Sequence, residues 1–476
     1  MRASRRLPLI VACALFIENM DSTVLSTALP AIAHDYGVDP ISLKLVLTSY
    51  LLSLAVFIPI SGWVADRFGA RMTFMSAIAV FLLGSVGCAA SPSLEWMVFA
   101  RFVQGMGGAM MVPVGRLVLL RTVEKSELVQ ALSWLTIPAL VGPVAGPPLG
   151  GFITTYFDWR WIFLINLPMG ALGIALAWRY IPALKEPVQP LDWRGFLLSG
   201  FGLAFAMFGF SSIGHLQIPA WASIAVLLTG TAALIAYAIH ARRAEHPLLD
   251  LRLFRIPTYK AGVLGGSLFR IGIGAIPFLL PMMLQVGFGL SPLQSGGLTF
   301  VSAVGAMFMK TIAAWIIRQW GFRRVLVFNA LVASASLAIF GLFRPPTPHL
   351  VVMTVLLVSG CVRSLQFTSL NAVSYADVEQ PQISQASSLA AMMQQLSVSM
   401  GVAVAGLVLE LCGWLRHVPT TDVHNFYLAF PLVALISGLS AIMMWQLPAD
   451  AGAEMSGRAR AGQEVAEPKA AQRPAM

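Results

Sequence analysis

Apolar stretches of about twenty residues recur along this 476-residue chain, and that recurrence limits what it can fold into. Twenty residues of helix rise about 30 Å, the thickness of a bilayer's hydrocarbon core. The stretches place fourteen spans, near 8–29, 45–65, 72–90, 95–120, 131–154, 161–181, 195–213, 217–240, 260–285, 296–317, 323–343, 349–375, 384–411 and 425–447. Soluble domains carry roughly 25% charged residues. This chain carries 11%, with 57% hydrophobic, too few charges to cover a water-facing surface of its size. The reading is an all-α, multi-pass membrane protein.

The first span follows a basic start, "MRASRR", but its apolar run is too long for a signal peptide, so it reads as a retained helix. Lysine and arginine fall unevenly between alternate connections. With the N-terminus inside, the inner segments hold Arg2, Arg5, Arg6, Arg67, Arg71, Arg121, Lys125, Arg179, Lys185, Arg194 and many more. The outer ones hold only Lys44, Arg160, Arg344 and Arg416. Both termini are therefore expected in the cytoplasm, and the net charge of +10 reports inner loops rather than nucleic-acid binding. The four cysteines, Cys13, Cys88, Cys361 and Cys412, lie in or beside apolar runs and read as packed free thiols.

A faint repeat appears at an offset of 252: Pro40 with Pro292, Trp63 with Trp315, Gly69 with Gly321, Arg71 with Arg323. The expected organisation is a six-helix bundle over 1–186, two inserted helices and a linker over 187–257, and a second six-helix bundle over 258–449. A disordered cytoplasmic tail over 450–476 follows. Related halves around a midplane site are a transporter pattern.

Three stretches carry more specific signals. "SGWVADRFGARMTF" (61–74) joins spans 2 and 3 and contains Gly62, Asp66, Arg67, Gly69 and Arg71. Gly62 is expected to admit a close helix and Gly69 to allow a tight turn. "ARFVQGMGGAMMVPVGR" (100–116) sets Arg101, Gln104 and Gly105 near the outer end of span 4 and Arg116 near its inner end. "VGPVAGPPLGGFI" (141–153) repeats Gly142-Pro143, Gly146-Pro147 and Gly150-Gly151, so that glycines line one face of a proline-bent helix, as suits a moving part.

These motifs resemble the loop, span-4 and span-5 "antiporter" motifs of the major facilitator superfamily. "MDSTVLSTALP" (20–30), "WRWIFLINLPMG" (159–170) and "LLPMMLQVGFGLSPLQSG" (279–296) resemble its fourteen-helix drug:proton antiporter branch. Ala70 departs from the family's second basic residue, and Arg318 and Ala314 stand where the second half would repeat Asp66 and Gly62. The resemblance implies the major-facilitator fold and gating roles for the three motifs. It also implies proton-driven efflux of small organic molecules by alternating access. The expected setting is a bacterial inner membrane, with the chain as a monomer.

Charges inside the spans sharpen this. Glu18 and Asp21, in "LFIENMDSTV" (15–24), lie roughly 15 and 20 Å into the first span and share one face. One such acid costs about 2.5–3.5 kcal/mol to insert. Scarce water and a like-charged neighbour both favour the neutral form, so such an acid can load a proton on one side and release it on the other. Asp21 is the first candidate for proton coupling and Glu18 the second. The other reading is that both merely pair with buried arginines.

Basic groups are more numerous. Arg270, Lys310 and Arg363 lie inside spans, and the polar stripe after Arg363 includes Gln366 and Asn371. Together with Arg116 these are the substrate-binding candidates. A pump for lipophilic cations would carry more acid than base, so an exporter of organic anions or carboxylate–metal chelates is the alternative. The seven histidines stay in loops or near span ends, and no spacing suggests a metal site, phosphate loop or catalytic triad. No cofactor is expected beyond the proton gradient, and no enzyme. A binding-only sensor of the same architecture is the remaining alternative.

Overall fold

The computed structural model describes residues 3–122, 128–182, 190–212, 219–245, 247–379 and 382–452, with the side chains of all but 3–6, 120, 121, 128–140, 220 and 384. Lys125, Lys185, the Arg121 side chain and the tail from 453 onward lie outside them.

Thirteen helices among the described residues are long and apolar enough to cross a bilayer, and Leu128–Tyr156 is a fourteenth long helix. In chain order they are α1 (Ala3–Tyr36), α2 (Pro40–Phe68), α3 (Ala70–Ala89), α4 (Leu94–Thr122), α5 (Leu128–Tyr156) and α6 (Trp161–Tyr180). Next come α7 (Trp193–Ser212), α8 (Ala220–Arg243), α9 (Pro257–Gly287) and α10 (Pro292–Trp320). The last are α11 (Phe322–Phe340), α12 (His349–Ser374), α13 (Ile383–Arg416) and α14 (Val423–Trp445). Each coincides with one span expected from the sequence.

Local chemistry sets the boundaries. Asp39 caps the start of α2 by accepting from the Ile41 amide, with Pro40 in the first turn. At α10, Ser291 and Gln294 form a reciprocal capping box ahead of Pro292. The α2–α3 and α10–α11 corners turn on Gly69 (φ 93°) and Gly321 (φ 78°), in backbone territory that glycine alone enters cheaply. Their spacing is the offset of the faint repeat. Large apolar side chains cover the outside, with tryptophans near both ends: Trp96, Trp221 and Trp414 at one, Trp178, Trp193, Trp320 and Trp445 at the other.

The packing pattern repeats as the sequence does. α1 packs on α5 as α9 does on α13; α2 packs on α4 as α10 does on α12; α3 packs on α4 and α6 as α11 does on α12 and α14. The α1–α6 and α9–α14 halves meet through α5 on α10 and α2 on α13. α7 and α8 pair with each other, and α7 rests against α2 and α13.

The two ends differ. At the end that carries Lys44, the halves are tied together. The Lys44 ammonium is fully buried and lies 2.7 Å from the Glu410 carboxylate of α13. Its chain fills the space where Gly406 lacks a side chain. Thr420 donates to Asp39, the Gln285 amide to the Thr27 carbonyl, and Ser399 to the Thr48 carbonyl. α5 and α10 touch backbone to backbone: a methyl group at Gly151 would sit 2.5 Å from the Pro292 carbonyl oxygen, and one at Gly296 would collide with the Pro147 carbonyl.

At the opposite end, which carries Asp66, Gly62 does not behave as expected. It is exposed, and a methyl group there would meet nothing within 4 Å. The close helix approach predicted for it is absent because this part of α2 faces open space in this conformation.

Two measurements follow from these contrasts. Gly69→Ala should lower stability by about 1–3 kcal/mol, seen as a lower Tm in detergent, whereas Gly62→Ala should leave Tm unchanged. Lys44→Met strands a carboxylate between the halves. It should raise maleimide labelling of a cysteine placed at Ser399 on a cysteine-free background, and adding Glu410→Met should reverse the rise.

Candidate functional site

Apart from the Lys44–Glu410 pair that joins the halves, the buried charges sort into two unlike sets, one in each half. In the first half, Asp21 on α1 is the centre. One of its oxygens lies 2.5 Å from the Arg101 guanidinium on α4. The other accepts from Gln104 of α4 and Asn166 of α6, both at 2.9 Å. Gln104 and Asn166 also reach the Ser85 hydroxyl on α3, and Arg101 lies over the Tyr50 ring of α2 at 4.3 Å. Asp21, Arg101, Gln104 and Asn166 are all buried. The network thus pins four helices, and a fifth by its ring, around one ion pair. Gly105 assists: a methyl group there would come within 2.6 Å of Ser53, so glycine lets α2 and α4 close around Arg101.

Glu18, one turn before Asp21, is left out of that network. One of its carboxylate oxygens is buried with no hydrogen-bond partner among the described residues. The charged groups acting on it are Arg116 of α4 and Asp21. Arg116 itself is exposed. The two acids paired by sequence spacing therefore have different surroundings: Asp21 is saturated, while Glu18 is half-buried and unsaturated.

In the second half the charges are basic. Arg363, Phe367 and Asn371 share one face of α12 at helical spacing. Arg270 of α9 lies against that face, its guanidinium 5.6 Å from the Phe367 ring and 3.5 Å from the Asn371 side-chain oxygen. Arg363 donates to Ser302 of α10 at 2.5 Å. Neither arginine has a carboxylate partner among the described residues, and the Nε of each is buried without an acceptor. Asn371 is exposed.

The other candidates fall elsewhere. Gln366 is fully buried on the far side of α12, bonded to Asn329 and to the Leu326 carbonyl, where it ties α12 to α11. Lys310 is exposed on α10, apart from the arginine pair. Met111, Met282 and Met283 are packed inside the helical core. Among the glycines of α5, Gly142, Gly146 and Gly150 face α1 at Asn19, Thr23 and Thr27, with Pro143 in the same run. Gly151, beside Pro147, faces α10. In the loop motif Asp66 is partly buried, Arg67 is exposed, and the Arg71 guanidinium stacks 4.6 Å over Trp178 of α6.

Asn166, Ser85 and Tyr50 were not singled out from sequence. Asn166 could have been, as the one amide between "WIFLI" and "LPMG" in an apolar run. Ser85 and Tyr50 offer no such signal, because serine and tyrosine are common inside helices.

The profile of the Major Facilitator Superfamily matches residues 11–402 and 262–468. The chain belongs to this superfamily. A protein of Salmonella heidelberg (strain SL476), provisionally named multidrug resistance protein MdtD, is 38% identical over 445 residues, covering 93% of this chain and 94% of that protein. The protein of the same name in Salmonella paratyphi A (strain ATCC 9150 / SARB42) is equally similar. Among solved structures, a D-xylose–proton symporter superposes with a TM-score of 0.68 at 15% identity, over 94% of this chain and 98% of that one. A bacterial homologue of the lysosomal transporter Spinster, in an inward-facing conformation, gives 0.66 at 13% identity, over 96% and 98%. At these identities the superpositions speak to the fold alone. Membership makes the chain a multi-pass membrane transporter and not an enzyme.

The ion-pair network yields a direct test. Arg101→Gln leaves Asp21 buried without its counter-charge and should cost about 3–5 kcal/mol, read as a large fall in Tm. Arg101→Gln combined with Asp21→Asn should recover most of that loss. Glu18→Gln removes no such pair and should change stability by less than about 1 kcal/mol.

Proposed function

We propose that this transporter exports small organic molecules by exchange for protons, with the two halves rocking around a central site. The observation that carries the proposal is the contrast at α1: a saturated Asp21 beside an unsaturated Glu18. A saturated acid holds helices together. An acid with a free oxygen at mid-membrane depth can take and release a proton without breaking an ion pair.

Glu18 is therefore the primary proton carrier in this reading. Asp21 acts through Arg101 by fixing the helix that presents Glu18. The closed Lys44 end and the exposed Gly62, Arg116 and Asn371 support a state open toward the Asp66 end. The lysine and arginine distribution supports placing the Asp66 end, with both termini, in the cytoplasm, and the bacterial relatives support an inner membrane. Substrate then enters from the cytoplasm, and its binding favours the deprotonated carrier. Opening the other end requires separating Lys44 from Glu410 and α5 from α10, after which substrate leaves and a proton enters. Each ligand drives its step only through unequal affinity for the two states. The names of the Salmonella relatives support drugs as cargo.

A second reading of the cargo rests on Arg270 and Arg363. Two buried guanidinium groups with no carboxylate partner among the described residues call for a counter-charge that arrives with the ligand. Organic anions, or carboxylate–metal chelates, supply it.

Flux in proteoliposomes under an imposed proton gradient tests both. For drug/proton antiport, a lipophilic dye cation should move uphill in the wild type. Glu18→Gln should abolish that uphill movement while still permitting downhill exchange. For the anion reading, a tricarboxylate should move instead, and Arg270→Gln and Arg363→Gln should each cut its uptake about tenfold or more, as expected for losing a charge-assisted contact. Uphill transport that survives Glu18→Gln would refute Glu18 as the carrier.

A further inference from the structure

The inserted helices present charge that neither the fold nor the proposed transport cycle uses. α8 shows an apolar outer face along its length: Trp221, Leu228, Ile235 and Ile239 are all at least half exposed, as suits contact with lipid chains. The same face continues by helical spacing to Arg242, one turn beyond Ile239. There the chain leaves α8 and returns through a single turn, Leu251–Arg255, before α9 begins. Between the end of α8 and that turn is an open cleft of about 750 Å³, bordered by Arg242, Arg252 and Arg255, with Leu251 and Phe254 supplying apolar wall.

The three arginines outnumber the one carboxylate among the residues lining the cleft. Asp250 also borders the cleft, but one of its oxygens accepts from the Arg252 amide and caps the turn. Among the described residues, no carboxylate forms an ion pair with Arg242, Arg252 or Arg255, unlike Lys44, Arg101, Arg160 and Arg416 elsewhere. A cleft of that size holds a phosphate-bearing headgroup. Its position, one turn past the end of a lipid-facing stripe, is where a phospholipid places its phosphate relative to its chains. Guanidinium groups suit phosphate by their planar, forked donors.

We propose that this cleft is a binding site for the headgroup of an anionic phospholipid, held by Arg242, Arg252 and Arg255. Leu251 and Phe254 cover the glycerol end. The site anchors the inserted pair α7–α8 to the headgroup layer beside the moving halves. A soluble phosphate ester would share the chemistry but gains nothing from the apolar stripe that leads into the cleft.

Native mass spectrometry of the purified full chain, released from detergent with phosphatidylglycerol or phosphatidylcholine, tests this. The wild type should retain about one more phosphatidylglycerol than phosphatidylcholine. Arg242→Gln/Arg252→Gln/Arg255→Gln should lose that lipid, with apparent affinity lower by about tenfold or more, since each basic side chain near a headgroup adds to anionic-lipid attraction. The triple replacement by lysine should keep most of it. Soluble glycerol phosphate should not displace it. Equal retention of the two lipids by the wild type overturns the proposal, as does equal phosphatidylglycerol retention by the wild type and the glutamine variant. Ready displacement by glycerol phosphate overturns the lipid in favour of a soluble ester. If the glutamine variant does not fold, the two-lipid comparison on the wild type and the lysine variant decides.

Discussion

A charge inside a bilayer must find its counter-charge within the protein, and the pair of Asp21 and Arg101 is where this chain meets that demand most completely. Burying either group alone would cost several kcal/mol, and leaving either partner stranded would cost about as much. Surrounding the pair with Gln104, Asn166 and the Tyr50 ring converts that liability into a clamp on α1, α2, α3, α4 and α6. The rest of the first half is arranged around it. Glu18 is free to do something else because Asp21 is not.

The second half breaks the balance. It repeats the packing of the first, helix for helix, yet in place of an acid–base clamp it holds Arg270 against Phe367 and Asn371 and Arg363 against Ser302. Its own buried amide cluster, Gln366 with Asn329, is neutral. Equivalent helices thus carry unequal work: one half is stiffened around an ion pair, and the other holds two arginines with no carboxylate partner among the described residues. That asymmetry is what a pseudo-symmetric transporter needs if its two halves are to frame one site with distinct roles for proton and cargo.

The contacts between the halves are of a kind that opens as a unit. α5 and α10 approach backbone to backbone at Gly151 and Gly296, and Lys44 crosses to Glu410 through the space left by Gly406. Such contacts are made or lost together, because a fraction of an ångström of separation ends a backbone-to-backbone fit and exposes a buried ion pair to water. Packing of this sort favours two discrete arrangements over a graded one.

The membrane spans, their number and the corner at Gly69 were legible in the sequence because each depends on local rules: apolar length and a glycine in a short connection. The repeat and the three motifs were legible for the same reason, since residue type at fixed spacing carries them. Which charge meets which was not. Glu18 and Asp21 look alike three residues apart, and only the arrival of Arg101, Gln104 and Asn166 from other helices gives one a full set of partners and leaves the other short. Gln366 and Asn371 sit on one polar helix, and only the position of α11 turns the first inward to Asn329 and leaves the second exposed. Gly62 reads as a packing glycine until α2 is seen to face open space. The sequence by itself determined that this chain crosses the membrane many times in two related halves. The tertiary structure alone decided which buried charges are spent on holding it together and which remain available, because partner choice depends on distances between helices far apart in the chain.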